Sequence, residues 1–219
     1  MTTTTVVPIV VLLVLVLIVA SFRRLLKLGF VQLAFRGFLK DAGQKALANQ
    51  PDQIRLSQQP GHQWKDAAAV NRLAEPLLTR GFRDLGPYSV DVMPHVTLRF
   101  LVNPTVSIYA CVYEHAKAGI WLDLVSRYDD GSGATFTTVR PTGLDPNPRE
   151  TVVHAPGSAS DMLYGRMLVE RPQRPLVRLD ATEVIRLFEA VYTEQTLWRK
   201  TRGVSAREVG KVAAAPPRA

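Results

Sequence analysis

Val6 to Ala20 reads VVPIVVLLVLVLIVA, strongly apolar at every position but Pro8. Thr2 to Phe22 carries no charged side chain, and as a helix those 21 residues run about 31 Å. The hydrocarbon core of a bilayer is about 30 Å thick, and a helix pairs its own backbone groups there. Pro8 falls in the first turns, where a missing N–H costs least. The pattern predicts a transmembrane anchor over 1–22. A cleaved signal peptide would have a basic stretch before the apolar run, and none precedes Val6.

The next segment, 23–48, begins RRLLKLGFVQLAFRGFLK. On a helical wheel Gly29, Gln32, Arg36 and Lys40 share a narrow face, and most of the rest is Leu and Phe. This predicts a basic amphipathic helix lying among headgroups, with Arg23, Arg24, Lys27, Arg36 and Lys40 facing anionic lipid. Packing of that helix on the following domain is the alternative. Residues 49–62 are rich in Gln and Pro and read as a linker.

From residue 63 to 212 the pattern is that of an α+β domain. A helix is expected from Gln63 to Arg80, capped at Asp66, interrupted by Pro76 and stopped by Gly81. The period then changes to two over 88–92, 96–102, 105–114, 119–128 and 134–140. Short turns join these runs, which forces antiparallel neighbours. The expectation is an antiparallel meander of about five strands, packed by N- and C-terminal helices. A Pro-rich loop spans 141–157, with a short edge strand at 151–154. Three helix starts follow, each a capping residue with an acid three positions on: Ser158/Asp161, Asp180/Glu183 and Ser205/Glu208. Leu179/Val184 and Val204/Val209 are placed as hydrophobic staples. The tail 213–219 is expected to be disordered.

Charge sets the orientation. The 219-residue chain has a formal net charge of +8, and 23–55 alone holds seven Lys and Arg against two Asp. Basic residues behind the apolar run and none before it predict an inner-membrane, single-pass protein, N-terminus out and the bulk of the chain cytoplasmic. One cysteine, Cys111, excludes a disulfide framework and a four-cysteine zinc site.

Reaction motifs are missing. There is no GxxxxGK[ST], GxGxxG, GxSxG, HExxH or calcium loop. His62, His95, His115 and His154 are scattered, so no metal or cofactor is expected. Glu114-His115 reads as a turn, and the C-terminal bases Arg199, Lys200, Arg202, Arg207 and Lys211 as a solvated helix face. One constellation stands out. Odd positions of the central strands, Arg99, Tyr109, Tyr113, Trp121, Asp123 and Arg127, are expected on one sheet face. Aromatics flanked by two cations and an acid suit a ligand or partner; a helix laid over the aromatics is the alternative. The resulting expectation is a membrane-anchored protein that acts by binding, as an accessory or scaffold subunit or a docking module. Its partners would be an anionic bilayer and a protein of a membrane complex, with no nucleic acid. A membrane-bound enzyme or ligand sensor using the same face is the second reading.

Overall fold

The computed structural model describes residues 44–214 except Ala46. The architecture expected from the sequence is corrected at two points. No helix among the described residues is long and apolar enough to cross a membrane. The 1–22 stretch and the five bases assigned to the membrane surface (Arg23, Arg24, Lys27, Arg36, Lys40) lie outside those residues. The sheet, in turn, has seven strands and is mixed rather than a purely antiparallel five-stranded meander.

The strands are β1 (Leu56–Gln58), β2 (Arg83–Val90), β3 (Val96–Asn103), β4 (Ile108–His115), β5 (Gly119–Arg127), β6 (Gly133–Thr137) and β7 (Glu150–His154). They lie side by side in chain order. β3 to β6 follow the runs of period two expected over 96–102, 105–114, 119–128 and 134–140, while β2 starts at Arg83, ahead of the run expected over 88–92; from β2 to β6 neighbours pair antiparallel. β7 is the edge strand expected over 151–154, but it pairs with β6 in parallel. Residues 138–149 therefore travel back along the sheet before β7 can begin.

β1 comes from the segment read as a linker. Its polar composition hides the reason it is ordered: it pairs antiparallel with β2, and side chains of a later helix hold its first residue and the chain leading into it. That helix is α3 (Ala181–Arg202), after α1 (Ala67–Leu78) and α2 (Ser160–Glu170) and before α4 (Ala206–Ala214). Glu189 accepts from the Leu56 N–H at 2.7 Å, Tyr192 donates its hydroxyl to the Pro51 carbonyl at 3.2 Å, and Lys200 donates to the Gln50 carbonyl at 2.6 Å. Ile54 is buried on the same side.

Helices cover both faces of the sheet. α1 and α2 bury Val70, Ala74, Leu77, Leu163 and Met167 against Leu101, Ala110, Val112, Leu122, Leu124 and Phe136. On the other face Leu179, Val184, Ile185, Phe188 and Tyr192 meet Leu98, Phe100, Tyr109, Cys111 and Val125.

Two of the three predicted starts hold. Asp180 accepts from the Glu183 N–H at 2.8 Å, and Leu179 and Val184 are both buried as a staple. Ser205 and Glu208 form both arms of a capping box: Glu208 N–H to Ser205 Oγ at 3.2 Å, and Ser205 N–H to Glu208 Oε2 at 2.9 Å. Ser158 caps nothing, since α2 begins at Ser160 behind Ala159. Asp66 caps α1 through the Ala69 N–H, and the helix ends two residues after Pro76.

Candidate functional site

Cross-strand register places the expected constellation. Moving across the strands, Phe100, Cys111, Asp123, Thr137 and His154 form one row. Tyr109, Val125, Thr135 and Val152 form the next, and Arg127, Gly133 and Glu150 a third. Tyr113 and Trp121 are opposite each other. So Tyr109, Tyr113, Trp121, Asp123 and Arg127 share the face under α3. Arg99 does not. Leu98 pairs with Tyr113 and Phe100 with Cys111, so even positions of β3 face with odd positions of β4. Arg99 points to the other layer, where it meets Asp84 at 2.6 Å and Asn71 at 2.8 Å.

α3 plugs the aromatic part of this face. Tyr113 and Trp121 stack with centroids 4.5 Å apart, and the Phe188 ring closes on Phe100 and Tyr113 at 5.0 and 6.4 Å. Tyr109 is 2% exposed. Burial pushes up the Tyr109, Tyr113 and Cys111 groups, which stay protonated and hydrogen-rich rather than reactive. Arg127 is spent on Glu150 at 2.5 Å and the Gly131 carbonyl at 2.8 Å. Burial pushes the Asp123 carboxyl up to about 6, with Thr137, Tyr113, His154 and Trp121 working against it. Its Oδ1 is buried and makes no hydrogen bond.

Beside the plugged region the face opens. A crevice of about 470 Å³ lies over β6 and β7, walled by loop 138–149, α3 and α4. Its origin is the parallel crossover. In α/β units such a connection is usually a helix, which packs a face densely. Here it is a chain holding Pro141, Pro146 and Pro148, which leaves the face partly uncovered.

Two contacts hold the loop in place. The Asp145 N–H donates to Glu208 at 2.9 Å, and Gly143, at φ +85°, approaches α4 so closely that a Cβ would sit 2.8 Å from Lys211 Cβ. Burial opposes ionisation of Glu208, but Arg202 and the Ser205 and Asp145 N–H groups bring its pKa down to about 2.

The walls are mostly apolar: Pro141, Leu144, Pro146, Val152 and Val191. Among them sit Glu150, His154, Gln195, Arg199 and Lys211. Glu150 faces Arg127, and Lys211 faces Asp145 at 3.5 Å. The Nδ1 of His154 donates to the Val139 carbonyl at 2.8 Å. Among the described residues Gln195 Nε2 and Arg199 Nε are buried without a well-aligned hydrogen-bond partner, and the Gln195 side chain stands close enough to Glu150 to pull against the rise in that carboxyl's pKa. Pattern reading missed this set because its members come from β6, β7, a loop and two helices. One signal existed: Val191, Gln195 and Arg199 repeat at four residues, one stripe of a helix.

Other candidates resolve into structure. Glu114 is buried and accepts from the Lys65 and Asp66 N–H groups at the head of α1. The terminal bases scatter: Lys200 meets Asp52 at 2.6 Å, Arg202 pairs with Glu208, and Lys211 meets Asp145. A smaller cleft of about 280 Å³ holds Tyr128, Arg149 and Arg174, but Asp130 already occupies it. Asp130 accepts from Ser132 and, at 3.0 Å, from Arg174. Among the described residues no group of three His, Cys, Asp or Glu side chains could hold a metal. No protein-family model matches the chain, and no curated protein or solved structure matches it either.

Proposed function

We propose that this chain is a membrane-anchored binding protein whose α+β domain takes a small ligand in the crevice between β7, loop 138–149, α3 and α4. The observation that carries the reading is the pair of buried donors on Gln195 and Arg199, without a well-aligned partner among the described residues, at a crevice walled by Pro141, Leu144, Pro146, Val152 and Val191 as well as by charged groups. Small-ligand sites have this composition, apolar walls with a few placed polar groups, and volumes of roughly 300–1,000 Å³. Attachment to the inner membrane surface rests on the uncharged apolar stretch 2–22 and the bases that follow it.

The test is extraction of the full chain in native lipid discs followed by native mass spectrometry. A bound small molecule is expected in the wild type and lost in Val152→Trp, which fills the crevice. A wild type that carries nothing and is unaffected by Val152→Trp counts against the reading. Attachment is tested by deleting 1–22. The remainder should sediment with anionic vesicles at low salt and leave them at high salt; a product soluble in both removes the basic stem from the account.

A second reading, an accessory subunit that docks a protein, is favoured by α2. Met162 and Val169 are seven residues apart on that helix and are 65% and 81% exposed. Co-purification of a stoichiometric protein, lost in a Met162→Lys/Val169→Lys variant, would favour it.

A further inference from the structure

We propose that the crevice ligand is a monoanionic carboxylate carrying a short apolar tail, held at its head by Arg199 and Gln195. The inference rests on the reading of the crevice as the binding element and adds the chemical class.

Charge at the crevice decides the head group. Three of the ionic residues lining it are Glu150, Lys211 and Arg199. Glu150 is met by Arg127 and Lys211 by Asp145. Arg199 makes no ion pair among the described residues. Of the acids on either side of it in the chain, Glu194 faces Arg127 and Arg149 at 3.9 Å, and Glu208 is taken up by Arg202, both groups of Ser205 and the Asp145 N–H. One positive charge is thus left over. Burial drives the Arg199 guanidinium downward in pKa, with Arg202 adding to the effect and Glu208 offsetting part of it, so an anion brought to its free side is favoured.

Geometry and polarity narrow the class. A guanidinium is a planar fork that matches the two oxygens of a carboxylate, and the Gln195 amide, which has no well-aligned partner among the described residues, adds a second donor one helical turn away. A dianion such as phosphate would bring a second negative charge toward Glu150 with no cation to meet it. The proline and valine walls then favour an aliphatic tail over a sugar or a nucleotide.

The experiment titrates hexanoate and its neutral isostere hexanamide into the full chain in lipid nanodiscs, with empty discs subtracted. The chains are wild type, Arg199→Met, Gln195→Leu and Val152→Trp. Wild type is expected to prefer hexanoate at least tenfold. Arg199→Met should abolish the preference while keeping hexanamide binding, Gln195→Leu should narrow it severalfold, and Val152→Trp should bind neither probe. Gln195→Leu keeps the question open to test if Arg199→Met does not fold. Equal binding of the two probes to wild type overturns the carboxylate assignment and leaves the crevice a ligand site. Binding of neither probe to wild type, or unchanged binding in Val152→Trp, overturns both.

Discussion

Arg127 and Glu150 sit on β5 and β7, two strands apart, and their side chains meet at 2.5 Å across the gap that Gly133 leaves between them. Gly133 is their register partner on β6. A Cβ there would run into the Arg127 guanidinium and come within 2.5 Å of Glu150 Oε2. The pair is almost wholly buried, at 5% and 9% side-chain exposure.

Gly133→Ala should therefore destabilise the protein by about 2–4 kcal/mol, combining overpacking with loss of a buried pair. Thermal melts of the full chain in nanodiscs measure it. A melt within a degree of wild type would show that the pair can shift aside.

Arg199→Met should do the reverse. Removing a partly buried cation that has no ion pair among the described residues relieves its desolvation, and with solvent screening discounting the gain the Tm of the ligand-free chain should rise by about 1–2 °C. A lowered Tm would mean that the guanidinium stabilises the fold.

Asp123 is the group to follow with pH. Its carboxyl ionises at about 6 when folded against an ordinary 3.8. The folded chain binds the extra proton in that window, so stability falls as pH rises from about 4 to about 6 and is flat above. Asp123→Asn should remove this fall. Carbon-detected NMR of the Asp123 carboxyl should give a midpoint near 6.

Glu208 acts in the opposite direction. Its pKa falls from 4.5 to about 2 on folding, so its stabilisation is complete above about 4.5 and lost as pH falls through about 2. Ser205→Ala should cost about 1 kcal/mol through the capping box alone. Glu208→Gln should weaken the acid dependence and also free loop 138–149. Hydrogen exchange at the Asp145 amide reports that loosening directly.

The local elements were legible in the sequence because their causes are local. Alternation along 96–102 and 119–128 reflects a pleat whose successive side chains enter the two layers on either side of the sheet, and Asp180/Glu183 and Ser205/Glu208 cap helices through bonds spanning three residues. The strand phase was not legible. Whether Arg99 shares a face with Tyr113 depends on how the β3–β4 turn sets the register, a shift of one residue that reverses every side chain. β1 escaped because its backbone is satisfied by Glu189, more than a hundred residues away.

By itself, then, the sequence determined the alternating runs of the central strands, the caps at Asp66, Asp180 and Ser205, and that an uncharged apolar stretch precedes a basic one. Only the tertiary structure decided that β7 runs parallel to β6, that α3 covers the aromatics, and that Arg199 lies beside an open crevice with no ion pair among the described residues. These outcomes depend on which charges and backbone groups find one another across long separations in the chain, and hydrophobic periodicity carries no record of that.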